Sequence, residues 1–153
     1  GALNPVLVAT VIQLIVSDLS VVLQAKNIEI EINCPDDFTV LADSNMLKLA
    51  IKNLIVNAVK FSHQGGKVQI LASSSGHSKI IQIIDYGVGM DNETKSKLFQ
   101  PDIKSKPGTN QERGTGLGLV QCHDFILKMK GSISCKSDLG VGTSFTILLK
   151  AAQ

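Results

Sequence analysis

Apolar residues near the N-terminus recur at three- and four-residue steps (Val8, Ile12, Ile15, Leu19, Val22), which predicts one amphipathic helix over about Pro5 to Ala25. From Asn27 to Asn33 the period drops to two. Ile28, Ile30 and Ile32 alternate with Glu29 and Glu31, as in a half-buried strand. Cys34-Pro35-Asp36-Asp37 reads as a turn and Phe38 to Leu41 as a short second strand. Asp43 is placed to cap a long helix running to about Ser62, with apolar positions at Leu47, Ala50, Ile51, Leu54, Ile55, Ala58 and Val59. Gln64-Gly65-Gly66 turns into a strand from Lys67 to Ser73, and Ser74-Ser75-Gly76-His77 turns into its hairpin partner from Lys79 to Asp85. A short helix is predicted over about Asn92 to Leu98. The stretch from Pro101 to Arg113, polar and aperiodic, reads as a mobile loop. A helix from about Thr115 to Lys130, a strand from Gly131 to Ser137, a glycine turn and a last strand from Thr143 to Lys150 complete the chain.

This order predicts an α+β fold, a two-layer sandwich in which one mixed, mostly antiparallel sheet carries helices on one face. Residues 1–26 read as an N-terminal helix or linker and residues 27–153 as the domain proper.

Composition narrows the field. A chain of 153 residues with 44% apolar and 18% charged positions can bury one core and is neither disordered nor a coiled coil. Aromatic residues are 4% with no Trp, so that core is aliphatic. A formal charge of +2, with no basic run interleaved with aromatics, is too weak to imply a nucleic-acid partner, and none is expected. Cys34, Cys122 and Cys135 form no C-x-x-C pair and are odd in number, so small buried thiols in a reducing, cytoplasmic setting are expected. Thr10, Gln13, Ser17, Asp18, Ser20 and Gln24 interrupt the first apolar segment, which makes it a poor membrane span and a poor signal peptide.

Four places carry possible chemistry. On a helix advancing about 100° per residue, Asn57 lies about 40° to one side of Asn53 and Lys60 about 20° to the other. That polar stripe on an apolar helix either faces solvent or a neighbouring helix, or offers two amide oxygens to a hard cation such as Mg²⁺ and an ammonium to phosphate. Asp85-Tyr86-Gly87-Val88-Gly89 follows the apolar strand Ile80–Ile84. It is either a plain strand-to-helix turn or a carboxylate able to accept the amino protons of an adenine, with glycines beside the flat base. Gly114-Thr115-Gly116-Leu117-Gly118-Leu119 opens a helix, where backbone amides can meet anionic oxygens. A Rossmann site needs a strand directly before the glycines and the spacing G-x-G-x-x-G, and a Walker A loop needs G-K-[ST]; neither is present. Gly140-Val141-Gly142-Thr143, alone, is a hairpin turn.

Taken in order, Asn-x-x-x-Asn-Ala-x-Lys-Phe, D-x-G-x-G, Leu98-Phe99-Gln100-Pro101, G-T-G-L-G-L and G-x-G-T-x-F resemble the ATP-binding catalytic domain of sensor histidine kinases. That domain has the Bergerat ATP-binding fold of the superfamily that includes gyrase B, the Hsp-type chaperones and MutL. The resemblance spans about Ile28 to Leu149. It implies ATP and Mg²⁺ as cofactors, with Asn57 as metal ligand, Asn53 supporting it, and Lys60 on phosphate. It implies Asp85 as the reader of adenine with Gly87 and Gly89 beside it, Phe99 at the base of a lid over about Asp102 to Arg113, and Thr143 near the base. Gly114, Thr115, Gly116, Leu117 and Gly118 would meet the phosphates. Tyr86, Asp102 and Arg113 depart from the usual pattern. Arg113 would be either an extra phosphate cation or a solvated lid residue.

The resemblance also implies transfer of the γ-phosphate to a histidine on a dimerisation domain, and from there to a response regulator. None of the three histidines fits that acceptor. His123 precedes Asp124 but falls in the helix after the glycine loop, while His63 and His77 fall in turns. The expectation is therefore a piece of a longer, homodimeric kinase, monomeric by itself, that binds ATP and turns it over slowly or not at all. The alternatives within the superfamily are a stand-alone anti-sigma-type serine kinase and a hydrolytic ATPase. Against the hydrolase, the position where an acidic base would sit is Asn53, which cannot take a proton.

Overall fold

A computed structural model of the chain describes residues 2–100, 108 and 118–152. Its elements run β1 (Asn4–Leu7), α1 (Val8–Asp18), α2 (Ser20–Ala25), β2 (Glu29–Asn33), β3 (Thr39–Ala42), α3 (Ser44–Phe61), β4 (Lys67–Ser75), β5 (Ser78–Asp85), α4 (Asn92–Ser96), α5 (Gly118–Lys128), β6 (Ser132–Asp138) and β7 (Gly142–Lys150). Five strands form a sheet in the order β2-β4-β5-β7-β6, parallel between β2 and β4 and antiparallel elsewhere. This is the expected α+β sandwich with a mixed, mostly antiparallel sheet.

Alternation sets the two faces of that sheet. Val68 and Ile70, Ile81 and Ile83, and Phe145, Ile147 and Leu149 are buried toward the helices. Gln69, Gln82, Ser144 and Thr146 point the other way, and Gln82 donates a hydrogen bond to Thr146 across the strands. Helix α3 buries Leu47, Ala50, Ile51, Leu54, Ile55, Ala58 and Val59 on that apolar face. Its start is fixed as expected: Asp43 accepts from the Met46 amide at 2.9 Å, a cap contributing about 1 kcal/mol.

The N-terminal segment differs from the expected single helix. Asn4–Leu7 is a strand paired antiparallel with β3, in a separate two-stranded ribbon joined to the main sheet by a bridge between Val40 and Ala151. Pro5, lacking an N–H, is tolerated because β1 has no second neighbour. The helix beyond it breaks at Leu19, between α1 and α2. Val8, Ile12, Ile15 and Leu19 are buried as the periodicity requires. Leu23 is buried, while Val22 is 51% exposed. Residues of the 1–26 segment thus share one core with α3 and β3. Among the described residues no helix is long and apolar enough to cross a membrane.

The thiols are less uniform than expected. Cys122 is fully buried, and Cys34 and Cys135 are half-buried. Burial pushes the Cys122 thiol up to about 12.

Candidate functional site

Asp85 ends β5 and is 3% exposed. Its carboxylate accepts from the Gly87 amide at 2.9 Å. Burial pushes its pKa up to about 6, against the opposing pull of the Gly87 and Thr143 backbone amides. A carboxylate kept this dry, with few donors around it, can accept protons from a ligand strongly and selectively.

The glycines after it answer to the protein's own backbone. A methyl added at Gly87 would lie 2.0 Å from the Phe61 carbonyl oxygen at the end of α3. Gly89, at φ +69°, passes so close to the Asp138 carbonyl that a methyl would sit 2.0 Å from it. The Val88 amide donates to Phe61 at 3.1 Å, and the Val88 carbonyl accepts from Gly140 at 2.8 Å. The loop after Asp85 is therefore stitched to α3 on one side and to the β6–β7 turn on the other. Backbone approach, which sequence alone ascribed to a bound base, is required here before any ligand arrives.

Helix α3 brings in the polar stripe. Asn53, Asn57 and Lys60 are all partly buried. The Asn53 amide nitrogen donates to the Gly118 carbonyl at 3.0 Å, tying the stripe to the start of α5. Lys60 Nζ lies 5.0 Å from the centre of the Phe61 ring. Gly118 is unlike Gly87, since among the described residues a methyl there would meet nothing nearer than Asn53 Oδ1 at 3.6 Å. Asn53, Gly118 and Gln121 line an open hollow between α3 and α5. Among the described residues no group of three or more His, Cys, Asp or Glu side chains could hold a metal. The Asn53 and Asn57 amide oxygens are then the donors available on α3, a set that suits Mg²⁺ if phosphates and water complete its shell.

Three further residues were not singled out from the sequence in these roles. Ser137 is buried at the end of β6, where it accepts from the Met90 amide at 2.8 Å, donates to Gly142 at 3.0 Å and lies 2.8 Å from the Thr143 hydroxyl. Because its single proton serves Gly142, the Thr143 hydroxyl is left to donate to it. The signal was present: Ser137 is in phase with Ile133 and Cys135 on the helix-facing side of β6, a polar residue on an apolar row. His123 stacks on Phe99 with ring centres 4.8 Å apart, anchoring that residue to α5. Tyr86 donates to Gln69, which donates to Glu31 at 2.9 Å on the open face of the sheet. Arg113, Gly114, Thr115, Gly116 and Leu117, with the lid, lie outside the described residues.

Residues far apart in the chain thus meet around one helix. Gly118 joins it at Asn53, Gly87 and Val88 join it at Phe61, and Thr143 pairs with Asp85 across β5 and β7. Residues 42–153 match the model of the histidine kinase-, DNA gyrase B- and HSP90-like ATPases. The chain belongs to that family. Among its relatives, the sensor protein EvgS of Escherichia coli O157:H7 is 36% identical over 120 residues, 75% of this chain and 10% of that protein. The chain therefore spans only about a tenth of that relative's length. The catalytic domain of the histidine kinase ThkA superposes with a TM-score of 0.84 at 23% identity, covering 98% of this chain and 96% of that one, a likeness of fold. Full-length ShkA, crystallised with AMPPNP, gives a TM-score of 0.77 at 26% identity over 99% of this chain and 32% of that one. The Bergerat ATP-binding fold and the kinase family read from the motifs are thereby borne out.

Proposed function

We propose that this ATPase-family domain holds Mg-ATP and presents the γ-phosphate to a histidine on a separate dimerisation domain of a cytoplasmic, homodimeric sensor kinase. A response regulator would receive the phosphate from that histidine. The observation that carries the reading is the gathering of the Asp85 loop and the start of α5 onto the one helix that bears Asn53, Asn57 and Lys60. The AMPPNP held by the relative ShkA supports it.

In this reading Asp85 takes the adenine amino group, with Gly87, Gly89 and Thr143 shaping the base's surroundings and Phe99 anchoring the lid. Lys60 and the amides of Gly114, Thr115, Gly116, Leu117 and Gly118 meet the phosphates, with Arg113 as a further cation. Asn57, backed by Asn53, would hold Mg²⁺, which neutralises phosphate charge when bound. Phosphoryl transfer asks a protein mainly for positioning and charge neutralisation, and these residues supply both. A hydrolytic reading is weaker, because the Asn53 side chain is an amide already donating to Gly118 and cannot serve as a base for water.

Calorimetry with AMPPNP, with and without Mg²⁺, on the wild type and Asp85→Asn tests the binding step. Binding by the wild type, strengthened by Mg²⁺ and markedly weakened in the variant, is expected; no wild-type binding at millimolar nucleotide would refute the reading. Mixing the domain with ATP and a histidine-bearing dimerisation domain tests the transfer. Acid-labile phosphate on that domain is expected, and acid-stable phosphate would point to a serine kinase.

A further inference from the structure

Lys26 is 3% exposed, and its ammonium donates to the carbonyls of Val59 at 2.8 Å and Lys60 at 3.0 Å. A buried charge is costly unless it is hydrogen-bonded, and a helix ends in four carbonyls without partners inside it. The two needs cancel here. Ser62 Oγ takes the Ala58 carbonyl at 2.7 Å and the Val88 amide takes Phe61 at 3.1 Å. Every carbonyl from Ala58 to Phe61 thus has a partner, and Lys26 supplies two of the four. Its charge also suits the negative end of the α3 dipole.

Lys26 is itself held firmly. Its amide donates to Val22 at 3.2 Å, its carbonyl accepts from Gly65 at 2.9 Å, and the next residue, Asn27, turns the chain at φ +54°. The clamp therefore joins the N-terminal segment to the last turn of α3, the turn that carries Lys60 and abuts the Asp85 loop.

We infer that Lys26 is a positioning residue for Lys60: by bonding the backbone of α3's last turn it fixes where the Lys60 ammonium meets nucleotide phosphate. The inference rests on the ATP reading above. A methionine in its place would fill the space but take the ammonium from the Lys60 carbonyl and leave the Val59 carbonyl the longer bond from the Ser62 amide at 3.3 Å, loosening the backbone at Lys60, and small displacements of a positioned group are expensive.

The test is a double-mutant cycle on the whole chain, with wild type, Lys26→Met, Lys60→Ala and the double variant, measured by calorimetry with Mg-AMPPNP and with adenosine. Circular dichroism checks folding. Lys26→Met should weaken AMPPNP about tenfold, leave adenosine within about twofold, and add no further loss once Lys60 is alanine. Losses that add to those of Lys60→Ala, an equal loss for adenosine, or no loss at all would each overturn the inference. If Lys26→Met does not fold, Lys26→Gln, whose amide can still reach one carbonyl, should give a smaller loss confined to AMPPNP. Failure of that variant to fold, or its binding AMPPNP like wild type, would also overturn it. Failure of the wild type to bind AMPPNP would instead remove the ATP reading itself.

Discussion

Burial lifts the Asp85 carboxyl from 3.8 to about 6, and the sign of that shift has two consequences. Between about pH 4 and pH 6 the native state keeps a proton that the unfolded chain has released, so this residue makes the fold less stable as pH rises through that window and has no further effect above it. Unfolding free energies from urea titrations across the window should fall in wild type relative to Asp85→Asn, by up to roughly 3 kcal/mol in total. Nucleotide binding should run the other way. The ionised carboxylate accepts the adenine amino protons more strongly than the neutral acid does, so affinity should be weaker at pH 5 than at pH 7.5, by up to about tenfold, and Asp85→Asn should show none of this dependence. A wild-type affinity that does not change between these pH values would remove Asp85 from the adenine site. Cys135, on the strand next to the one that faces Asp85, has its thiol pushed up to about 11, mainly by burial, with Lys95 opposing and Asp85 adding to the rise. It stays a protonated, unreactive neighbour.

Among elements, the loops decide which glycines matter. Gly87 and Gly118 both belong to glycine motifs, yet their surroundings differ. Gly87→Ala drives a methyl into the backbone of Phe61 and must separate the Asp85 loop from α3, costing about 2–3 kcal/mol and weakening nucleotide binding. Gly118→Ala enters ordinary van der Waals distance of Asn53 and removes a flexible residue from the start of α5, so stability should rise by about 0.5 kcal/mol. Denaturant titration of the two variants checks this, and equal destabilisation by both would show that the α3–α5 hollow is tighter than described. The same scale explains the N-terminal helix. Its periodicity was real, but Val22 and Leu23 flank the apolar stripe about equally on a helix, and the core lies on the Leu23 side. Val22→Asp should accordingly be nearly neutral in the same titration, while Leu23→Asp, at 7% exposure, should unfold the chain.

For the molecule as a whole, α1, α3 and the five-stranded sheet share one core, largely aliphatic but including Phe38 and Phe145. Ile51, fully buried in the middle of α3, packs there away from the polar stripe. Ile51→Ala should cost about 2–5 kcal/mol in a single cooperative transition. While folded, the variant should bind nucleotide as wild type does; a matching loss of affinity would mean that core packing and site geometry are not separable.

The sequence by itself determined the identity, order and approximate bounds of β2 through β7 and of α3, because alternation, the 3.6-residue period and the Asp43 cap are local signals. It also determined which side chains were candidates, since Asp85, Asn57 and Lys60 stand out as polar groups on apolar elements. Only the tertiary structure decided the rest. Strand β1 exists because β3 offers it an edge, and Leu23 rather than Val22 is buried because the core lies on that side of α2. Gly87 must be glycine because α3 ends against it, and Lys26 is a clamp because residues 33 and 34 positions away in the chain turn their carbonyls toward it. Each of these depends on which backbone lies next to which, and contacts between distant residues leave no periodic trace along a single chain.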